Sequence, residues 1–151
     1  FDQIAKIIIN HVNHGVKIAE KAMLPKAIID FIRTHHGRGK AKYFYNSFKN
    51  QYPDHEIDEE AFTYTGPNPF SKETAVLMMA DSVEAASRSL KEHTEENIRA
   101  LVDKIIDGQI ADGLMRNAPL TFKDVETVKN VFVEKLKIMY HTRISYPDLK
   151  K

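Results

Sequence analysis

The chain of 151 residues contains no cysteine. That removes disulfides and thiolate metal ligands together, and it suits a cytosolic setting. No apolar run approaches the roughly 20 residues of a helical membrane span, and no signal-peptide pattern is present. Neither charge sign dominates: 22 Lys and Arg against 21 Asp and Glu give a net charge of +1. This argues against a globally basic binder of nucleic acid polymers. Alternating strand patterns, internal repeats and low-complexity stretches are also missing. What remains is ordinary soluble globular material, 42% hydrophobic and 28% charged. The length suits one domain, 1–151, with a real core. Its first residue is Phe1 rather than Met, which suggests a fragment.

The apolar spacing predicts helices throughout. Ile4, Ile7, Ile8, Val12, Ile18 and Ala19 recur at helical intervals over residues 3–22, with Asp2 as N-cap. Pro25 opens a second helix that runs toward His35 and stops at Gly37 and Gly39. Residues 40–51 make a short aromatic helix. Residues 52–70, with Pro53, Gly66, Pro67 and Pro69, are mostly loop with one helical turn near 58–62. Ser71 caps a helix to about Leu90, and Thr94 caps another that Gly108 closes. Residues 109–120 fit a short helix or a packed loop. Thr121 with Asp124 opens a last helix to about His141, its inner face built from Val125, Val128, Phe132, Leu136 and Met139 or Tyr140. The expected class is all-α.

Three histidines and one aspartate stand out within this frame. The first two helices form a hairpin that turns near Met23–Leu24. At about 1.5 Å per residue, His11 and His35 both fall roughly 17 Å from that turn, so they share one height on neighbouring helices. Packed helices lie about 8–10 Å apart, close enough for two imidazoles to converge on one ion. His36 adjoins His35, and Gly37 ends the helix there, which frees both rings from strict helical divergence. Two histidines beside a helix C-terminus also satisfy its dipole without any metal. Asp81 sits in the most apolar stretch, Leu77–Ala86, where a carboxylate needs a compensating cation or good donors. A metal supplies one; a place at the rim, or a pairing with Arg88, removes the need.

The remaining histidines read as ordinary surface groups. His14 lies nearer the turn, His55 lies in a polar loop, His93 precedes a helix, and His141 ends one. The basic turn Gly37–Tyr45 offers Arg38 to a phosphate, while Lys40 and Lys42 read as solvated. Tyr64–Pro67 is either a cleft wall or a plain turn.

Taken together, these segments resemble the HD-domain metallophosphohydrolases. The closer likeness is to the cytoplasmic HD domain of the seven-transmembrane HD family, the PgpH-type cyclic di-AMP phosphodiesterases. The matching segments are His11-Val12-Asn13-His14-Gly15, Leu24-Pro25 through Asp30-Phe31-Ile32 to His35-His36-Gly37, Phe44-Tyr45 and Tyr64 through Pro69. Ser71-Lys72-Glu73-Thr74-Ala75, Met79 through Ala86, Leu120-Thr121 and His141 through Pro147 follow in order. The resemblance implies a helical bundle of about five to seven helices. It implies His11, His35, His36 and Asp81 around two divalent ions, iron or manganese; Arg38, Tyr64 and Gly66 are the candidates toward substrate. The implied reaction opens cyclic di-AMP to the linear dinucleotide, at the cytoplasmic face of a bacterial membrane, with the rest of a membrane protein upstream.

One departure matters. The family is named for a His-Asp dyad, and no His-Asp dipeptide occurs here. The motif order places it before His11, so the chain is expected to lack the N-terminal part of the domain and to be inactive alone. Two alternatives stand beside this reading: a non-catalytic helical regulatory module, and an HD hydrolase of another nucleotide.

Overall fold

The computed structural model describes residues 2–141. Among them run six α-helices: α1 (Asp2–Lys21), α2 (Lys26–Thr34), α3 (Lys42–Gln51), α4 (Lys72–Ser87), α5 (Glu95–Ala111) and α6 (Phe122–Met139). One 3-10 turn spans Glu59–Phe62. The only extended pairing among the described residues is an isolated bridge between Lys40 and Thr63. The side chain of Asp2 and the segment Thr142–Pro147 lie outside what is described.

The caps explain where the later helices begin. Ser71 and Thr74 form a reciprocal capping box at α4, and Thr121 and Asp124 form another at α6. Thr94 accepts from the Asn97 N–H at α5. Each satisfies backbone donors that a helix start leaves unpaired.

Two apolar clusters hold the bundle. The larger joins Met78, Met79 and Val83 of α4 to Ile98, Val102 and Ile106 of α5 and to Val133 and Leu136 of α6. Each such side chain contributes about 1.5–3 kcal/mol by leaving water. The smaller gathers Val12, Ala41 and Tyr64, with Ile8, Ile9 and Phe44 against them.

Several expectations need correction. α1 turns Ala5, Val12 and Ala19 inward, while Ile4, Ile7 and Ile18 stay exposed. Its inner face carries small residues because α2 approaches closely: a Cβ on Gly15 would sit 3.1 Å from Ile32 Cγ2. α5 passes through Gly108 and stops at Ala111. The stop signal is Gly113, at φ +76°, where the Leu114 N–H reaches Gln109 O and the Gly113 N–H reaches Ile110 O. This double bond is the glycine-terminated helix end. Gly108 is an ordinary helical residue. On α6, Met139 is exposed, and Val133 and Lys129 take buried places instead.

Lys129 is buried because two α5 carboxylates receive it, Asp107 at 2.7 Å and Asp103 at 3.4 Å. Burial pulls its pKa down, but the two aspartates outweigh it and the net shift is upward. Lys129 is therefore a charged pin between α5 and α6.

Candidate metal centre

The α1–α2 hairpin sets the site. After α1, Met23 adopts φ +55°, the Leu24 N–H donates to Ala19 O and the Met23 N–H to Glu20 O. The chain therefore reverses within three residues, at the place the sequence indicates. Gly15 lets α1 and α2 close together one turn beyond His11.

The two rings, on α1 and at the end of α2, lie at one height. His11 Nε2 and His35 Nε2 lie 3.2 Å apart. Each ring is tethered by its other nitrogen to the carbonyl three residues earlier: His11 Nδ1 donates to Ile8 O, and His35 Nδ1 donates to Ile32 O at 2.6 Å. A carbonyl only accepts, so each Nδ1 carries the proton. In the neutral imidazoles both Nε2 atoms then present lone pairs to one another. Two acceptors facing at that distance have no hydrogen between them, and a shared cation satisfies both. Histidine ligands are commonly fixed in this way, with the distal N–H on a backbone carbonyl.

His36 completes the group. The ring centroids of His35 and His36 are 4.1 Å apart, and those of His11 and His36 are 5.1 Å apart. One nitrogen from each of the three lies within 4.8 Å of the others. Burial, reinforced by His35 and His11, pushes the pKa of His36 down to about 3. It is neutral at pH 7, so its lone pair is available to a metal. Tyr64 stacks on it, centroids 4.3 Å apart and planes 19° apart. Burial, then the nearby Asp81 charge, pushes the Tyr64 hydroxyl up, so it stays protonated.

Asp81 reaches the same place from α4, with Oδ2 3.8 Å from His36 Nδ1. That is too long for a hydrogen bond. It is not an ion pair either, because His36 is neutral. Of the alternatives the sequence leaves open for this carboxylate, the rim is the one seen: the Asp81 side chain is 45% exposed. α4 is apolar through this stretch, yet its outer edge meets solvent. Arg88 pairs with Glu84, not with Asp81. The imidazole trio and the adjacent carboxylate form a nitrogen- and oxygen-donor set that fits a divalent transition metal.

Of the three residues expected toward substrate, one touches this group. Tyr64 lies against His36. The loops of Arg38 and Gly66 meet: Arg38 N–H donates to Asn68 Oδ1 at 2.8 Å, and the Arg38 side chain runs under Gly66, at φ +79°. Asn68, which sequence reasoning passed over, is the tie between these loops. Gly37 closes against the same side chain.

Of the remaining histidines, His14 and His55 are exposed, as expected. His93 is not. Its ring stacks on Tyr140 at 3.6 Å, and its Nε2 lies 2.9 Å from Ser87 O. It locks the α4–α5 connection to the end of α6.

A cleft of about 240 Å³ opens from His36 and Tyr64 toward α5, where Lys104 and Gln109 line it. No spacing signal in the sequence marks these two.

No family model matches the chain. It is similar to the cyclic-di-AMP phosphodiesterase PgpH of Bacillus subtilis, 39% identical over 150 residues, which is 99% of this chain and 21% of that protein. It is also similar to PgpH of Listeria monocytogenes, 36% identical over 149 residues, 99% of this chain and 20% of that protein. The chain thus spans about a fifth of the length of these curated relatives. Among solved structures, the HD domain of L. monocytogenes PgpH in complex with cyclic-di-AMP superposes with a TM-score of 0.84 at 34% identity. The match covers 91% of this chain and 64% of that one.

Proposed function

On the premise that the chain belongs to the HD-domain family of the PgpH phosphodiesterases, we propose that it supplies most of a metal-dependent domain that opens cyclic di-AMP to the linear dinucleotide. The observation that carries this reading is the pair of tethered imidazoles whose free nitrogens face each other 3.2 Å apart.

His11, His35 and His36 hold the metal side of the site, and Asp81 offers an oxygen from α4. Two divalent ions, iron or manganese, are the cofactors we assign. Bound there, such ions polarise phosphoryl oxygens and lower the pKa of a bound water. The chain's own contribution is orientation. The Ile8 and Ile32 carbonyls fix which nitrogen of His11 and His35 is free. The buried environment keeps His36 neutral. Tyr64 holds the His36 ring flat, and Arg38 stands ready to meet phosphate charge.

We place the missing His-Asp dyad, and the membrane-spanning part, upstream of Phe1 in the intact protein, whose HD domain then lies at the cytoplasmic face of a bacterial membrane. The test uses the intact protein. Metal content is measured after His11→Ala, His35→Ala and Asp81→Ala, beside hydrolysis of cyclic di-AMP. The two histidine variants lose bound metal and activity, while the far-UV dichroism is kept because neither ring supports the core. Unchanged metal in all three variants rejects the site. The 151 residues alone bind metal weakly and hydrolyse nothing. A gene whose upstream sequence also lacks His-Asp would favour the regulatory-module reading instead.

A further inference from the structure

Asn68 stands in the loop between the 3-10 turn and α4. Pro69, the next residue, is fully buried, and Ser71 begins the capping box of α4 just after it. The backbone that carries Asn68 is thus fastened to the start of α4. Its side chain reaches the other way, to the turn that follows His35 and His36.

There Oδ1 accepts the Arg38 N–H at 2.8 Å. Gly37 makes room for it. A Cβ on Gly37 would lie 2.7 Å from Oδ1, and its φ of +51° also favours glycine. After a left-handed glycine, the next amide commonly returns to a carbonyl of its own helix. The Arg38 amide takes the Asn68 oxygen instead, so a side chain fastens the end of α2 to the loop that leads into α4. Backbone bonding runs beside it, the Tyr64 N–H donating to Gly39 O at 2.9 Å.

This tie joins the two segments that supply the donor set. His36 lies two residues before Arg38, and Asp81 lies on the helix that follows Asn68. Asp81 Oδ2 is 3.8 Å from His36 Nδ1, too far for a hydrogen bond. The two groups do not set their own separation; the segments beneath them do.

We propose that Asn68 is a positioning residue: its side-chain oxygen holds the His35–His36 turn against the start of α4 and so sets the separation between the imidazole trio and the Asp81 carboxylate. The inference rests on the phosphodiesterase reading and adds a residue outside the donor set on which the metal geometry depends. Asn68 itself touches neither ligand nor reacting atom. Groups that support metal ligands in this way typically govern affinity or activity by about 10–100-fold, because a site without its supporting contacts is held too loosely.

The experiment loads the intact protein with cobalt(II), whose visible spectrum follows the number and geometry of its ligands, and with manganese(II) for affinity and for turnover of cyclic di-AMP. Asn68→Ala removes the acceptor. Asn68→Ser keeps a polar loop residue but is one atom too short for the Arg38 N–H. Asn68→Asp keeps an oxygen at the same reach. The Ala and Ser variants are expected to keep the parent far-UV dichroism, to shift the cobalt bands, and to bind manganese about tenfold more weakly. Their kcat falls about tenfold while KM stays within about twofold of the parent. Asn68→Asp restores the cobalt spectrum. A purely structural role would lower the melting temperature and leave the spectrum of the folded, cobalt-loaded protein unmoved. Should Asn68→Ala lose its helices, Asn68→Ser decides. Parent-like spectra and manganese affinity in the folded variants overturn the inference. So does an Asn68→Asp protein that behaves like Asn68→Ala, since the acceptor is then not what matters. A parent that binds metal but leaves cyclic di-AMP intact overturns the phosphodiesterase reading, while the spectra still decide the role of Asn68.

Discussion

Gly66 shows how much one backbone position controls here. It sits at φ +79°, and a Cβ on it would lie 2.7 Å from Arg38 Cγ. Gly66→Ala should destabilise the chain by about 1–2 kcal/mol through the left-handed backbone alone. Urea denaturation gives the magnitude, and no change in midpoint would show that the loop relaxes freely. Side chains differ in how far their roles can be read from spacing. His11 and His35 were legible because one number, the rise per residue, fixed their common height. Asp81 was legible as a neighbour of the site, with its exposure left open, since an apolar stretch of sequence does not say where the helix edge meets water. Lys104 and Gln109 were not legible at all. That both line one cleft is a matter of three-dimensional packing, which spacing along the chain does not carry. His93 failed for the same reason, because its partner Tyr140 is distant in sequence.

Helices carry the next set of consequences. The close approach of α1 and α2 depends on Gly15, where a Cβ would sit 3.1 Å from Ile32 Cγ2. Gly15→Val should push the two helices apart and weaken metal binding several-fold, although no ligand is touched. Titration of metal into the variant and parent, followed by calorimetry, measures this; equal affinities would mean that the gap is set elsewhere. At α6, the Asp124 carboxylate accepts from Lys72 and from the Thr121 N–H, and these bonds, Lys72 first, lower its pKa from 3.8 to about 2. The carboxylate favours folding while ionised, so its contribution is full above pH 4 and disappears as the pH falls toward 2. Asp124→Asn should remove that part of the acid dependence of stability, seen as a flatter curve of melting temperature against pH in this window. The caps, the hairpin turn and the all-helical class were plain in the sequence, each having a local chemical signal. The inner face of α1 was not. That helix is apolar on two sides, and periodicity finds such sides without telling which one is buried. Gly108 misled for a related reason: glycine ends helices by adopting a left-handed turn, and the residue that does so is Gly113, five positions later.

Across the whole molecule, the site ties the α1–α2 hairpin to α4, two bodies with separate apolar clusters. An ion shared by the hairpin and by Asp81 would bind the folded state only, and stability then grows with the logarithm of free metal. The melting temperature of the intact protein should rise with added manganese and fall with a chelator, by about 2–4 °C for each kcal/mol of linkage in a domain of this size. His11→Ala should abolish the response. A response that survives in His11→Ala would put the stabilising ion at another place. The bundle was what the family resemblance implied, and the all-helical class was readable from residue spacing. The division into two clusters was not, because it depends on which helices touch and not on which helices form.

The three imidazoles stand within 26 consecutive residues, His11 to His36, on one hairpin, whereas the carboxylate comes from 45 residues further along the chain. Closing the short loop costs little conformational entropy, and bringing in the distant arm requires the bundle to dock. A chain emerging during synthesis therefore brings its three imidazoles together first and gains Asp81 only on final assembly, so partial unfolding would part them in the reverse order.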